Sequence, residues 1–131
     1  MQYTIYQNLE DLSRAAAVAV SQAARRCVAD RGYFTLVLAG GNTPRTLYRI
    51  LAEQEVQLAW PRIHIFWGDE RFVPPDHADS NYRMAHQTLL SRVKIPPEQV
   101  YPVPTAAATP EQAADDYEAR IKTVMAQLGG P

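Results

Sequence analysis

The rhythm of apolar and polar positions changes several times along the chain, and each change marks an element. "YTIY", Tyr3 to Tyr6, is β-prone and predicts a short first strand. Leu12, Ala16, Ala19, Ala23 and Cys27 then recur at three- and four-residue intervals. That period predicts a helix capped by Asn8, running to about Ala29 and ended by Arg31-Gly32. "FTLVLA", Phe34 to Ala39, is an unbroken apolar run, which suits a strand covered on both faces. Gly40-Gly41 breaks it. Thr43 is expected as an N-cap with Pro44 as the first helical residue, ahead of Leu47, Ile50 and Leu51. Ile63 to Trp67 reads as another strand, followed by a long loop to Asp79. Asp79 or Ser80 is expected to cap a helix carrying Tyr82, Ala85, Leu89 and Val93, stopped by Ile95-Pro96-Pro97. Gln99 to Pro102 predicts a last short strand. Thr109-Pro110-Glu111-Gln112 has the capping-box form, and Tyr117, Ile121, Val124 and Leu128 make one stripe behind it.

Strand and helix thus alternate four times, which argues for an α/β fold with a mostly parallel sheet. Such a sheet is small, and its most apolar strand needs neighbours on both edges. The last helix runs into Gly129-Gly130-Pro131. A length of 131 residues fits one domain, and 47% apolar residues suffice for a core. The net charge of −1 and the lack of a basic run point away from nucleic acid. They leave room for a small anionic ligand, which needs only a local cluster of donors. One cysteine, Cys27, permits no internal disulfide and reads as a packing residue. The N-terminus has no basic start and apolar run of a signal peptide, and no apolar run nears the ~18 residues that span a bilayer. The expectation is a cytoplasmic protein with no membrane partner.

Two loops carry candidate chemistry. "AGGNTPRTLY", Ala39 to Tyr48, joins a strand to a helix start through two glycines. Glycine lets the backbone approach a ligand, and the first helical N–H groups favour an anion such as phosphate. Arg45 adds a charged donor. The spacing is neither that of the dinucleotide fingerprint nor that of the P-loop. A tight, well-capped turn is an equal reading of these residues. "FWGDERFVPPDHADSNYRM", Phe66 to Met84, leaves an apolar strand directly into Asp69, Glu70 and Arg71. In open parallel sheets, ligands sit beyond the C-terminal ends of strands, so both loops are expected to face one crevice. Adjacent side chains diverge, so one or two of the three charges face it while another pairs with structure. A solvated, salt-bridged loop is the alternative.

The histidines support no metal site. His64 alternates with Ile63 and Ile65 and reads as structural; His77 and His86 read as exposed. Neither their spacing nor that of Cys27 matches a metal-ligand set, and no nucleophile elbow is present. Trp60 and Trp67 read as core.

"LAGGNTPRTLY", "IFWGDERFVPPDHADSNYRMA" and "IPPEQVYPV" occur together and in order. In this combination the chain resembles the N-terminal half of the glucosamine-6-phosphate isomerase/6-phosphogluconolactonase family. Asp69-Glu70-Arg71, where the deaminase branch would carry an Asp-Glu-Tyr type sequence, resembles the lactonase branch. The resemblance implies a Rossmann-like sheet with flanking helices, cut short, with residues 1–131 the N-terminal portion of one lactonase-type domain. It implies hydrolysis of 6-phospho-D-glucono-1,5-lactone to 6-phosphogluconate in the oxidative pentose phosphate pathway, without metal or organic cofactor. By position, Gly40, Gly41, Asn42 and Thr43 line the crevice near the sugar phosphate, with Arg45 beside them. Arg71 binds anionic or carbonyl oxygens, and Asp69 orients a catalytic histidine or substrate hydroxyls. The family's histidine belongs to a Gly-x-Gly-x-Asp-Gly-His-x-Ala-Ser type motif that these residues do not contain. None of His64, His77 or His86 occupies it. The expectations are therefore a half-site that a complementing C-terminal half completes or, failing that, a non-catalytic phosphosugar-binding module or an inactive fragment.

Overall fold

A computed structural model describes residues 1–53 and 56–129. Helix α1 spans Leu9–Arg31. The Asn8 side chain accepts from the Asp11 N–H at 2.8 Å, and Glu10 and Asp11 complement the positive end of the helix dipole. Gly32 ends it at φ 87°, a left-handed conformation that turns its own N–H back to the Val28 carbonyl. Strands β1 (Phe34–Leu38) and β2 (Ile63–Trp67) pair in parallel, from Phe34 opposite Ile63 to Leu38 opposite Trp67. The crossover between them is α2, Asn42–Leu51. Helices α3 (Asn81–Thr88) and α4 (Pro110–Gln127) follow β2.

The sheet is covered on both faces along β2, whereas Phe34 to Ala39, expected to be covered on both faces, leaves Val37 in solvent. Ile63, Ile65 and Trp67 join the larger core with residues of α1, α2 and α3. Phe66 points the other way, into a smaller core with Tyr101, Tyr117 and Val124. Cover is thinner at β1. Among the described residues β2 alone pairs with it, and Val37 is 60% exposed.

Several expectations shift. Tyr3 to Tyr6 form no strand: among the described residues the sheet pairs β1 with β2 alone, and Tyr3 and Ile5 stand in solvent. Helix α2 starts two residues early. Gly41, at φ 99°, is its N-cap, so Asn42 opens the helix and Thr43 is not a cap. Helix α3 stops at Thr88, where Leu89 leaves helical geometry, and Leu90–Arg92 form a 3-10 turn. The expected strand at Gln99 to Pro102 shrinks to one bridge between Val100 and Ile65, with the Tyr101 N–H donating to the Ile65 carbonyl at 2.9 Å. The capping box is half made: Thr109 accepts from the Gln112 N–H, but the Gln112 side chain donates to Asp116 instead. The expected caps at Asn8 and Ser80 form. Trp60 and Trp67 are buried, and Cys27 packs against the core. Of the Gly129-Gly130-Pro131 ending, the last two residues lie outside the described residues.

Candidate functional site

Both candidate loops leave the C-terminal edge of the sheet. The strand ladder runs one step past β1, where the Gly68 N–H donates to the Leu38 carbonyl at 2.9 Å. The end of β1 is clamped by Tyr48 of α2. Its hydroxyl accepts from the Ala39 N–H at 2.7 Å and donates to the Ala39 carbonyl at 2.9 Å. Burial pushes the Tyr48 phenol above its ordinary pKa, so it stays a donor at neutral pH. This clamp delivers the chain to Gly40 in a fixed place.

Helix α2 then begins without a side-chain cap and without an acidic residue in its first turn. Its first N–H groups, at Asn42 and Thr43, head the positive end of the dipole, and Pro44 has no N–H to satisfy. Gly41, Asn42, Thr43 and Arg45 are all exposed there. This end suits an anion.

Helix α3 begins in the opposite way. Glu70 fills its N-terminus with a carboxylate supplied from the preceding loop. One oxygen accepts from the N–H groups of Asn81 (2.7 Å) and Arg71 (2.8 Å). The other accepts from the Tyr82 N–H (2.9 Å) and the Ser80 hydroxyl (3.3 Å). Ser80 itself accepts from the Arg83 N–H at 3.2 Å. Of the three adjacent charges, Glu70 is thus the one bound into structure, while Asp69 and Arg71 remain exposed.

Asp69 and Arg71 border a cleft of about 290 Å³ together with Gly68, Thr105, Ala113 and Tyr117. The far wall is the start of α4. Thr43 and Pro44 border a separate apolar cleft of about 260 Å³ against α1. The expectation of one shared crevice is not met, because Thr43 and Pro44 border one cleft and Asp69 and Arg71 another; the two loops meet instead at the Asn81 side chain. That side chain contacts both Gly40 and Asp69, while the two clefts stay distinct. Among the described residues no salt bridge engages Arg45 or Arg71.

The histidines lie elsewhere. His64 stacks on Tyr101, with Nδ1 and the tyrosine hydroxyl 3.0 Å apart. His77 accepts from the Asp79 N–H within its own loop, and exposed His86 stacks on Tyr82. Among the described residues no three His, Cys, Asp or Glu side chains gather as a metal-binding group.

Glu70 as a helix cap and Asn81 as a bridge were missed in the sequence. The one available signal was Ser80-Asn81 at a helix start shortly after a run of charges. The partners lie about ten residues apart across a loop, beyond any local periodicity.

A parallel α/β unit with two loops at its carboxyl edge, one cradling and one charged, defines a small-ligand-binding class of fold. The chain belongs to the glucosamine-6-phosphate isomerases/6-phosphogluconolactonase family, whose model matches residues 7–130. It is 47% identical over 93% of its length to a 6-phosphogluconolactonase of Synechocystis sp., of which the match covers 50%. A 6-phosphogluconolactonase of Nostoc sp. is also 47% identical, over 79% of this chain and 42% of that one. A crystal structure of 6-phosphogluconolactonase from Thermotoga maritima superposes with a TM-score of 0.82 at 34% identity. That match covers 93% of this chain and 53% of that one. The chain therefore spans half or less of the length of these curated relatives.

Proposed function

We propose that this chain carries the N-terminal part of a 6-phosphogluconolactonase site, acting on 6-phospho-D-glucono-1,5-lactone in the oxidative pentose phosphate pathway of the cytoplasm. The observation that carries this reading is that exposed Asp69 and Arg71 line one cleft at the sheet's carboxyl edge, beside an α2 start without a side-chain cap, in a chain with lactonase relatives. In the reaction, water adds to the lactone carbonyl carbon and the ring ester bond breaks. The ring oxygen takes one of the water's protons and becomes a hydroxyl, and the other passes by way of the proton acceptor to solvent, leaving a carboxylate. The Gly40, Gly41, Asn42 and Thr43 backbone and Arg45 receive the phosphate. Arg71 steadies the charge that develops on the carbonyl oxygen, and Asp69 orients the proton acceptor or a sugar hydroxyl. A complementing C-terminal half is the partner that supplies the histidine motif. No metal or organic cofactor enters this reading.

The test is lactone hydrolysis above the spontaneous background, with and without an added C-terminal half from the family. Activity on complementation is expected, falling by about two orders of magnitude in Arg71→Ala, as for loss of one oxyanion donor. Unchanged turnover in Arg71→Ala sinks the role of Arg71. A second reading, a phosphosugar-binding module without catalysis, is favoured by the exposed α2 start, which has no side-chain cap and carries Arg45 beside it. It expects calorimetric binding of 6-phosphogluconate and no turnover under either condition.

A further inference from the structure

Asn81 is the first residue of α3, yet its side chain turns inward and is 9% exposed. Its amide nitrogen donates to Asp69 twice, to the backbone carbonyl at 3.2 Å and to Oδ1 at 3.3 Å. Its amide oxygen lies against Gly40, so closely that a Cβ at position 40 would sit 2.2 Å from it. The Asn81 side chain has no part in capping its own helix. Glu70 takes the Asn81 and Tyr82 N–H groups, and Ser80 takes that of Arg83. A buried amide with no capping duty, held between the two candidate loops, marks a specific use.

We propose that Asn81 is a positioning residue, which fixes the rotamer of Asp69 and sets the gap between the Gly40 loop and the Asp69 loop. Two donors on one residue, to backbone and carboxylate together, select a single side-chain direction for an otherwise exposed Asp69. Gly40 completes the device, because any side chain there would displace the amide. The proposal rests on the phosphosugar reading of this edge, and its test separates the two.

The first readout needs no ligand. Asn81→Asp keeps the side chain's size and removes its donor. The backbone amide resonances of Asp69 and Gly40 are expected to shift together, while those of Met84 to Thr88 stay in place and show that α3 still folds. Unmoved Asp69 and Gly40 resonances overturn the proposal. If Asn81→Asp unfolds α3, Gly40→Ala makes the same test from the other side. Its Cβ must move Asn81, and a stationary Asp69 amide again overturns the proposal. The second readout is calorimetry with 6-phosphogluconate. Asn81→Ala and Asp69→Ala are each expected to weaken binding about tenfold, and the double variant by about tenfold also, because one residue acts through the other. A double variant weakened by about a hundredfold, the product of independent effects, overturns the proposal. A wild-type chain that binds no 6-phosphogluconate counts against the phosphosugar reading alone, and the resonances still decide the role of Asn81.

Discussion

Glu70 commits both carboxylate oxygens to the start of α3, accepting from three backbone N–H groups and the Ser80 hydroxyl. Hydrogen bonds to a charged acceptor are stronger than neutral ones, and their loss leaves helix-end donors unpaired. Glu70→Ala is expected to lower stability by about 2–3 kcal/mol in urea denaturation, and Glu70→Gln by less, since an amide keeps one acceptor. His64 gives a pH signature at the same scale. Burial holds it below the ordinary histidine value of 6.5. Between the folded and unfolded values the unfolded chain binds more protons, so stability falls as pH drops. The loss begins near pH 6.5 and is complete below the folded-state value. In thermal melts across this window, His64→Phe is expected to flatten the slope; an unchanged slope would mean that other groups set it.

At the scale of elements, one hydroxyl hydrogen-bonds α4 to the sheet, beside the smaller core that Tyr117 and Val124 build with Phe66. Tyr117 accepts from the Trp67 N–H at 2.8 Å and donates to the Tyr101 carbonyl at 2.7 Å. Tyr117→Phe leaves two buried backbone groups without partners and is expected to cost about 2–3 kcal/mol in urea denaturation. Most elements were legible in the sequence because their signals are local. The cap at Asn8, the apolar runs of β1 and β2, and the stripe of α4 each declare themselves within a few residues. What was not legible depended on distant partners. Gly41 rather than Thr43 starts α2 because its left-handed backbone turns the chain two residues sooner. Gln99 to Pro102 has strand composition but finds one bridge with Ile65. In the site, Asp69, Glu70 and Arg71 stood together at a strand end, and the family resemblance rather than the spacing singled out Asp69 and Arg71. Glu70 looked the same as its neighbours, and its structural role arises only when α3 folds back against the loop.

The whole molecule is covered unevenly. β2 lies between two cores, whereas β1 has a free edge and an exposed Val37 among the described residues. Free edges with apolar side chains invite pairing with another chain. Sedimentation of the isolated chain is expected to show concentration-dependent association that Val37→Lys reduces; a monomer at all concentrations would count against this. The hydroxyl of Tyr117 has a further consequence for the folded chain as a moving body. The amide proton of Trp67 is shielded by a group borne on α4, fifty positions along the chain. Its exchange with deuterated solvent therefore keeps time with the lifting of that helix, and a single resonance within the sheet becomes a clock for motion outside it.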